Sequence, residues 1–217
     1  IEGQRLATFY GYTSDGIWQE AEVNAPFVNA DGKETGNTNG KTYGVVAGNI
    51  KLADLNKDGV INEADQSVIG CGQPTFNWGW SNTFSYKNFD LSFFRVGFHG
   101  FDIYNATEQM GINGVMGQSK AYVVPLRKLL NRWTPTNTQT DVPGFVQGGN
   151  TYTGRFMSRY VEDGSFIKMK SVTLGYTLPG NMCKSLGINN LRVYASVQNP
   201  FHSTSCSGLY PEPTLGN

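Results

Sequence analysis

Between Pro74 and Gly100 the chain reads PTFNWGWSNTFSYKNFDLSFFRVGFHG, and no other stretch limits the fold so strongly. Phe76, Trp78, Trp80, Phe84 and Tyr86 share one parity, broken by Asn82, while Asn77, Gly79, Ser81, Thr83 and Ser85 lie between them. Alternation of this kind gives a strand one apolar face and one small, polar face. Lys87 and Asn88 make a short polar turn, after which Phe89, Leu91 and Phe93 run back. The two runs predict an antiparallel hairpin of roughly ten residues a side. Its aromatic face must be covered, by a second sheet in a soluble sandwich or by lipid in a membrane barrel. Phe94, Val96 and Phe98 fall on the opposite parity, which requires either a bulge or cover on both faces. The alternation by itself leaves sandwich and barrel equally open.

Composition narrows the remaining classes. Of 217 residues, 39% are hydrophobic and only 16% charged, whereas 13% are aromatic and 27 are glycine. Such a balance describes a turn-rich all-β protein. The formal net charge is zero, so no electrostatic argument points to nucleic acid. Cys71, Cys183 and Cys206 are an odd set without metal-ligand spacing, and predict free or buried thiols. No run of about eighteen apolar residues is present, which excludes a transmembrane helix in this sequence. No signal peptide is visible and the first residue is Ile, so a processed or partial chain is expected.

In chain order, Arg5–Tyr12 predicts a first strand. Residues Ile17 to Gly40 form a polar, glycine-rich segment with turn signals at Asp31-Gly32 and Asn39-Gly40, and Phe101 to Asn150 form a second long connection. Both are expected to be exposed loops, too polar to bury, because long irregular segments are uncommon inside compact domains. Pro125 to Arg132 predicts a short helix with proline in its first turn, carrying Leu126, Leu129 and Leu130. Arg155–Val161, Ser165–Leu178 and Asn190–Gln198 predict three more strands, with a turn at Glu162-Asp163-Gly164. In the last of them Leu191, Val193, Ala195 and Val197 alternate with Arg192, Tyr194, Ser196 and Gln198, the amphipathic pattern of a barrel wall.

The most specific short motif is DLNKDGVINEAD, Asp54 to Asp65. Oxygen-bearing side chains at loop positions one, three, five, nine and twelve, with glycine at six, are spaced to wrap Ca²⁺. Asp54, Asn56 and Asp58 would be direct ligands, Val60 would offer its carbonyl, Asn62 would bind directly or through water, and Asp65 would close the site. The closing residue is Asp rather than a longer bidentate Glu, and no long amphipathic helix precedes the loop. Calcium here is expected as a structural staple, and the competing reading is an Asx-rich turn that holds no metal.

Several blocks resemble one family. Glu2–Trp18 (EGQRLATFYGYTSDGIW), Asn82–Phe94 (NTFSYKNFDLSFF), Leu130–Pro135 (LNRWTP) and Ser158–Pro179 (SRYVEDGSFIKMKSVTLGYTLP) closely resemble the C-terminal part of SusC/RagA-type TonB-dependent outer-membrane transporters. The acidic loop followed by Val68-Ile69-Gly70 sits where that family carries one. The resemblance implies an antiparallel transmembrane β-barrel of twenty-two strands, of which this chain is a C-terminal portion with long extracellular loops and a short loop helix. It also implies TonB-dependent import of oligosaccharides or peptides across the outer membrane of a Bacteroidota-like Gram-negative cell. The implied partners are a SusD-like surface lipoprotein and TonB, the latter through a segment outside this chain. Pro200 stands where the family usually has leucine, and the chain stops at Asn217 before the expected last strand, with the plug also absent. The predicted strands are too few to close a barrel, and open edges are not tolerated in lipid, so a piece of a larger chain is expected.

Another reading of the same residues is a secreted, calcium-stapled β-sandwich that binds glycans through Trp18, Trp78, Trp80 and Trp133. Catalysis finds no support. His99 and His202 are the only histidines, and the Glu162, Asp163 pair lies in a turn. No nucleophile elbow, HExxH or phosphate loop occurs.

Overall fold

The hairpin forms as the alternation requires, and two further long strands extend it. A computed structural model describes residues 3–116, 126–145, 154–185 and 187–208. In chain order its strands are β1 (Thr8–Tyr12), β2 (Ser14–Ile17), β3 (Pro26–Val28), β4 (Glu34–Thr38), β5 (Ile50–Leu52), β6 (Gln66–Cys71), β7 (Phe76–Tyr86), β8 (Phe89–His99), β9 (Asp102–Tyr104), β10 (Val161–Asp163), β11 (Phe166–Thr177) and β12 (Arg192–Thr204). Helices α1 (Glu20–Asn24), α2 (Asn39–Tyr43), α3 (Ala106–Met116) and α4 (Gly180–Ser185) lie between them. The chain divides into two compact units, residues 1–72 with 103–162 and residues 73–102 with 163–217. No helix among the described residues is long and apolar enough to cross a membrane, which leaves crossing by strands untouched.

The second unit is an antiparallel sheet in the order β12-β11-β8-β7. Lys87 takes a left-handed φ of 53° at the tight turn between β7 and β8. The β7–β8 ladder runs without a shift from Phe76↔His99 to Tyr86↔Phe89. Directly paired residues share a face in an antiparallel ladder, so Phe89, Leu91 and Phe93 join the β7 aromatics and Phe94, Val96 and Phe98 turn to the other side. The ambiguity at Phe94 is therefore resolved without a bulge in β8. The bulge lies in β11 instead, where Met169 pairs with Arg95 and Ser171 with Phe94, leaving Lys170 as an extra residue. Opposite it, β12 carries Asn199 and Pro200 between the paired Gln198 and Phe201, with Asn199 at φ 51°. Proline can sit there because the ladder is interrupted at that point, and β12 continues to Thr204, beyond the predicted end at Gln198.

The first unit is built from two-stranded pieces, β1 with β6, β2 with β5 and β3 with β4. They enclose a core of Tyr12, Trp18, Val45, Ile50, Leu52, Ile61, Ile112, Leu129, Val142, Met157 and Tyr160. Much of this core comes from the two segments expected to be polar loops. The expectation fails because single apolar residues spread over long stretches are brought together by short elements that carry no periodic signal. Asn29, Gly32 and Lys33 close the β3–β4 turn by hydrogen bonds, and α3 fills part of the second connection. The predicted strand Arg155–Val161 is corrected to a 3₁₀ turn at Ser158–Tyr160 followed by β10. The predicted helix near Leu129 is a 3₁₀ helix at Arg127–Asn131, with Pro125 outside the described residues.

Backbone proximity decides several positions here. A Cβ on Gly11 would stand 2.5 Å from the Phe156 carbonyl oxygen, the side of β1 on which Tyr12 N donates to Phe156 O at 2.9 Å. Gly48, at φ 89°, leaves no room for a Cβ beside the Trp133 ring, and Gly144 closes on the same ring. Trp133 Nε1 donates to Gln19 Oε1 at 3.0 Å, so this indole is fixed from both ends.

Candidate functional site: a two-faced wall and an acidic loop

The register of the four long strands sorts their side chains into two chemically different faces. One face carries Phe76, Trp78, Trp80, Phe84 and Tyr86 from β7, and Phe89, Leu91 and Phe93 from β8, with Asn82 and Arg95 as polar exceptions. It continues through Val172, Leu174 and Tyr176 of β11 to Val197, Ala195 and Val193 of β12. Phe84 is 54% exposed, Leu174 50% and Val197 54%, so nothing among the described residues of this unit covers that face. The other face carries Ser81, Thr83, Ser85, Asp90, Ser92, Ser171, Thr173, Arg192, Ser196 and Gln198, together with Phe94, Val96, Phe98, Phe166 and Tyr194.

Interactions on the two faces follow the same division. On the apolar side, Trp80 meets Phe93 edge-on at 5.1 Å and Phe89 packs on Tyr176 at 4.6 Å between ring centres. On the polar side, the Thr173 and Ser196 hydroxyls pair at 2.9 Å. Arg192 reaches across β11 to Asp90, with Nε–Oδ1 at 3.2 Å and Nη2–Oδ2 at 2.5 Å. That reach passes over Gly175, where an added Cβ would lie 2.5 Å from Asp90 Oδ1 and 2.6 Å from Arg192 Nη2. The sequence offers alternation for the faces, but nothing that announces a charge pair spanning three strands.

The acidic loop is folded around its own backbone by side-chain hydrogen bonds. Asp54 accepts from Asp58 N through Oδ1 at 3.2 Å, and through Oδ2 from Gly59 N at 2.9 Å and the Tyr43 hydroxyl at 3.0 Å. Asn56 Oδ1 accepts from Asp58 N at 3.0 Å while its Nδ2 donates to Asp58 Oδ2 at 2.9 Å. Asp58 Oδ1 accepts from Val60 N at 2.8 Å. Asn62 caps the following 3₁₀ turn by accepting from Ala64 N at 2.8 Å, and its Nδ2 donates to Val60 O at 3.1 Å. Asp65, fully buried, closes the loop by accepting from Leu55 N and Asn62 N, both at 2.9 Å. Gly59 sits at φ 84°, as position six demands. Among the described residues no group of three or more His, Cys, Asp or Glu is arranged to hold a metal ion. As it stands, the loop is a set of Asx turns, and two of the six candidate ligands, Asp58 through Oδ2 and Val60 through its carbonyl, face amide nitrogens.

A cluster beside the loop was not legible in the sequence. Lys51 Nζ lies 2.8 Å from Glu22 Oε1, 3.2 Å from Asp15 Oδ2 and 5.0 Å over the Trp18 ring. Burial works to lower the Lys51 pKa, but the hydrogen bonds that Lys51 donates to Glu22 and Asp15 outweigh it and hold the value above that of an ordinary lysine. Burial likewise raises Glu22, and the Lys51 and Gln19 hydrogen bonds reverse it to a value below the usual carboxylate. Of the four tryptophans, Trp18 is buried in the core of the first unit and offers no ring face to a ligand, while Trp133 is half-buried with one edge of its ring against the neighbouring Gly48 and Gly144.

A four-stranded antiparallel sheet with one greasy and one more polar face has the pattern that a β-barrel wall requires. The chain aligns over its full length with 19% of the TonB-dependent receptor P3 of Formosa agariphila at 33% identity. It aligns over 76% of its length with 15% of the TonB-dependent receptor SusC of Bacteroides thetaiotaomicron at 28% identity. The solved RagAB peptide transporter superposes on 94% of the chain with a TM-score of 0.67 and 21% identity, covering 20% of that protein's chain. No family model matches. The chain is a segment of a SusC/RagA-type TonB-dependent transporter and spans about a fifth of the length of the Formosa relative. The named relatives are receptors and transporters, not enzymes.

Proposed function

We propose that this chain forms part of the wall, and the outer loops, of an outer-membrane barrel that imports oligosaccharides or peptides with energy from TonB. A SusD-like surface lipoprotein is the proposed companion at the loop end. The carrying observation is the register: a mainly apolar face that runs across four strands, backed by a face where hydroxyls and one ion pair sit among several aromatics. Strand length supports it, since β7 has 11 residues. A strand of that length spans about 36 Å, or about 28 Å across the membrane at a tilt of about 40°, against an apolar band about 25 Å tall. Connection lengths support it too. The β7–β8 turn takes two residues and the β11–β12 connection holds only α4, whereas every chain crossing to the first unit leaves from the opposite ends of the strands. In outer-membrane barrels short turns are periplasmic and long loops extracellular, so the first unit belongs on the cell exterior.

The test uses the full transporter and two neighbouring residues of β11 that face opposite ways. Leu174→Arg puts a charge toward lipid and should cost about 2–4 kcal/mol of insertion free energy near the midplane. Thr173→Arg puts the same charge into the lumen, where it should leave assembly into vesicles intact. Equal assembly of the two variants would sink the wall reading and favour a soluble fold. The sandwich alternative already lacks Trp18 as a ligand surface.

For the acidic loop we propose a structural Ca²⁺ site formed by Asp54, Asn56, Asp58, Val60, Asn62 and Asp65. A carboxylate oxygen that accepts one N–H keeps a further lone pair, and an entering cation would have to displace the Asn56 and Asn62 Nδ2 groups from Asp58 Oδ2 and the Val60 carbonyl.

A further inference from the structure

We propose that the loop end of the apolar face carries a site for a membrane amphiphile with a sugar headgroup and an acyl tail; the proposal rests on the wall reading above. A cavity of about 380 Å³ opens there, within the second unit. This lies inside the range of about 300–1,000 Å³ typical of small-ligand sites. By register Phe76, Trp78, His99, Ile167 and Ser203 belong to the apolar face. The floor is built rather than incidental. Trp78 pairs with Gly97, and a Cβ at Gly97 would fall inside the indole, so the ring lies flat across β8 toward Ile167. His99 leans on Phe76 with ring centres 5.3 Å apart.

The rim is polar and holds no Lys or Arg among its lining residues. Asp163 Oδ1 accepts from Ser165 N at 2.9 Å, and Oδ2 accepts from the Ser205 hydroxyl at 3.3 Å. A carboxylate so held keeps lone pairs for further donors, and Ser203, Ser205 and His99 can donate or accept beside it. A phosphate headgroup would meet the Asp163 charge with no cation to balance it, whereas sugar hydroxyls can donate to the carboxylate and accept from the serines. Below the rim, Trp78 and Ile167 face the hydrocarbon, where an acyl chain continues into the bilayer. Phe98, Phe166 and Thr204, which also line the cavity, belong by register to the other face, so the cavity sits at the strand ends with its larger part on the apolar side.

The full transporter in phosphatidylethanolamine nanodiscs, titrated with monogalactosyl diacylglycerol and, separately, with phosphatidylglycerol, tests this by native mass spectrometry. The galactolipid should bind at least about tenfold more tightly than phosphatidylglycerol. Trp78→Ala should abolish that preference. Ser203→Phe, which fills the cavity and keeps the wall apolar, should abolish it as well and decides the matter even if Trp78→Ala fails to assemble. Equal binding of the two lipids, or an undiminished preference in Ser203→Phe, overturns the site. A transporter that inserts but prefers neither lipid removes the site alone, and one that stays in the aqueous phase removes the wall reading with it.

Discussion

Gly48→Ala is expected to loosen the first unit through two separable effects. Gly48 has φ 89°. In that left-handed region an L-residue costs about 1–2 kcal/mol. Its new Cβ would also lie 2.8 Å from Trp133 Cε3, in a ring that Gln19 holds through Nε1 at 3.0 Å. Overpacking of this kind costs about 1–3 kcal/mol. The sum is about 2–5 kcal/mol, and its lower bound corresponds to about a thirtyfold loss of protection. Gly48 N donates to Trp18 O at 2.8 Å and Gly48 O accepts from Gly144 N at 2.9 Å, so hydrogen exchange at these two amides reads the loss directly. The decisive measurement is the double mutant with Trp133→Ala. Removing the ring relieves the steric part and leaves the backbone part, so the two changes should couple by about 1–3 kcal/mol. Strict additivity, with coupling below about 0.5 kcal/mol, would show that the ring and the glycine do not constrain each other.

Further outcomes follow from other contacts. Gly175→Val should part Asp90 from Arg192 and lower the thermal midpoint of the assembled barrel; an equal drop in an Asp90→Asn background would refute this. Glu22 is acidified by folding, so its contribution is full above the ordinary value of 4.5 and is lost as pH falls through its lower folded-state pKa. Lys51, shifted upward, contributes fully below 10.5 and loses its contribution only as pH rises through its folded-state pKa. Trp18 emission, taken as the difference from Trp18→Phe, should therefore change below 4.5, and a flat trace through that range would contradict the tie. Tyr43, whose hydroxyl lies 3.0 Å from Asp54 Oδ2, should sensitise Tb³⁺ luminescence displaced by Ca²⁺. A signal equally strong in Asp54→Ala would remove the cation from the loop.

What was legible in the sequence was whatever is periodic. The Phe76–Tyr86 and Phe89–His99 strands, and β11 within a residue at each end, declare themselves because one face is uniformly apolar. The first unit was not legible, because Trp18, Ile50, Ile112, Val142 and Met157 are scattered singly among polar residues and meet only through tertiary folding. Pairings such as Lys51 with Glu22, or Asp90 with Arg192 across a glycine, depend on sequence separations of 29 and 102 that no local pattern encodes. The acidic loop shows the middle case: its spacing predicted convergence, while the hydrogen bonds that satisfy it had to be seen.

The bulge at Lys170 acts on β11 like a frameshift on a two-letter code. Above it the odd residues Ile167 and Met169 look toward the apolar side, and below it the even residues Val172, Leu174 and Tyr176 do. Neighbouring β12 spends two residues, Asn199 and Pro200, at the same level and so keeps its frame throughout. A single deletion at Lys170 would therefore remove the extra residue and leave Ile167, Met169, Val172, Leu174 and Tyr176 in simple alternation on the apolar side, with Lys168 still facing away. A single extra residue is tolerable in this wall where a bulge absorbs it, and the strand's meaning is carried by its phase rather than by its residues alone.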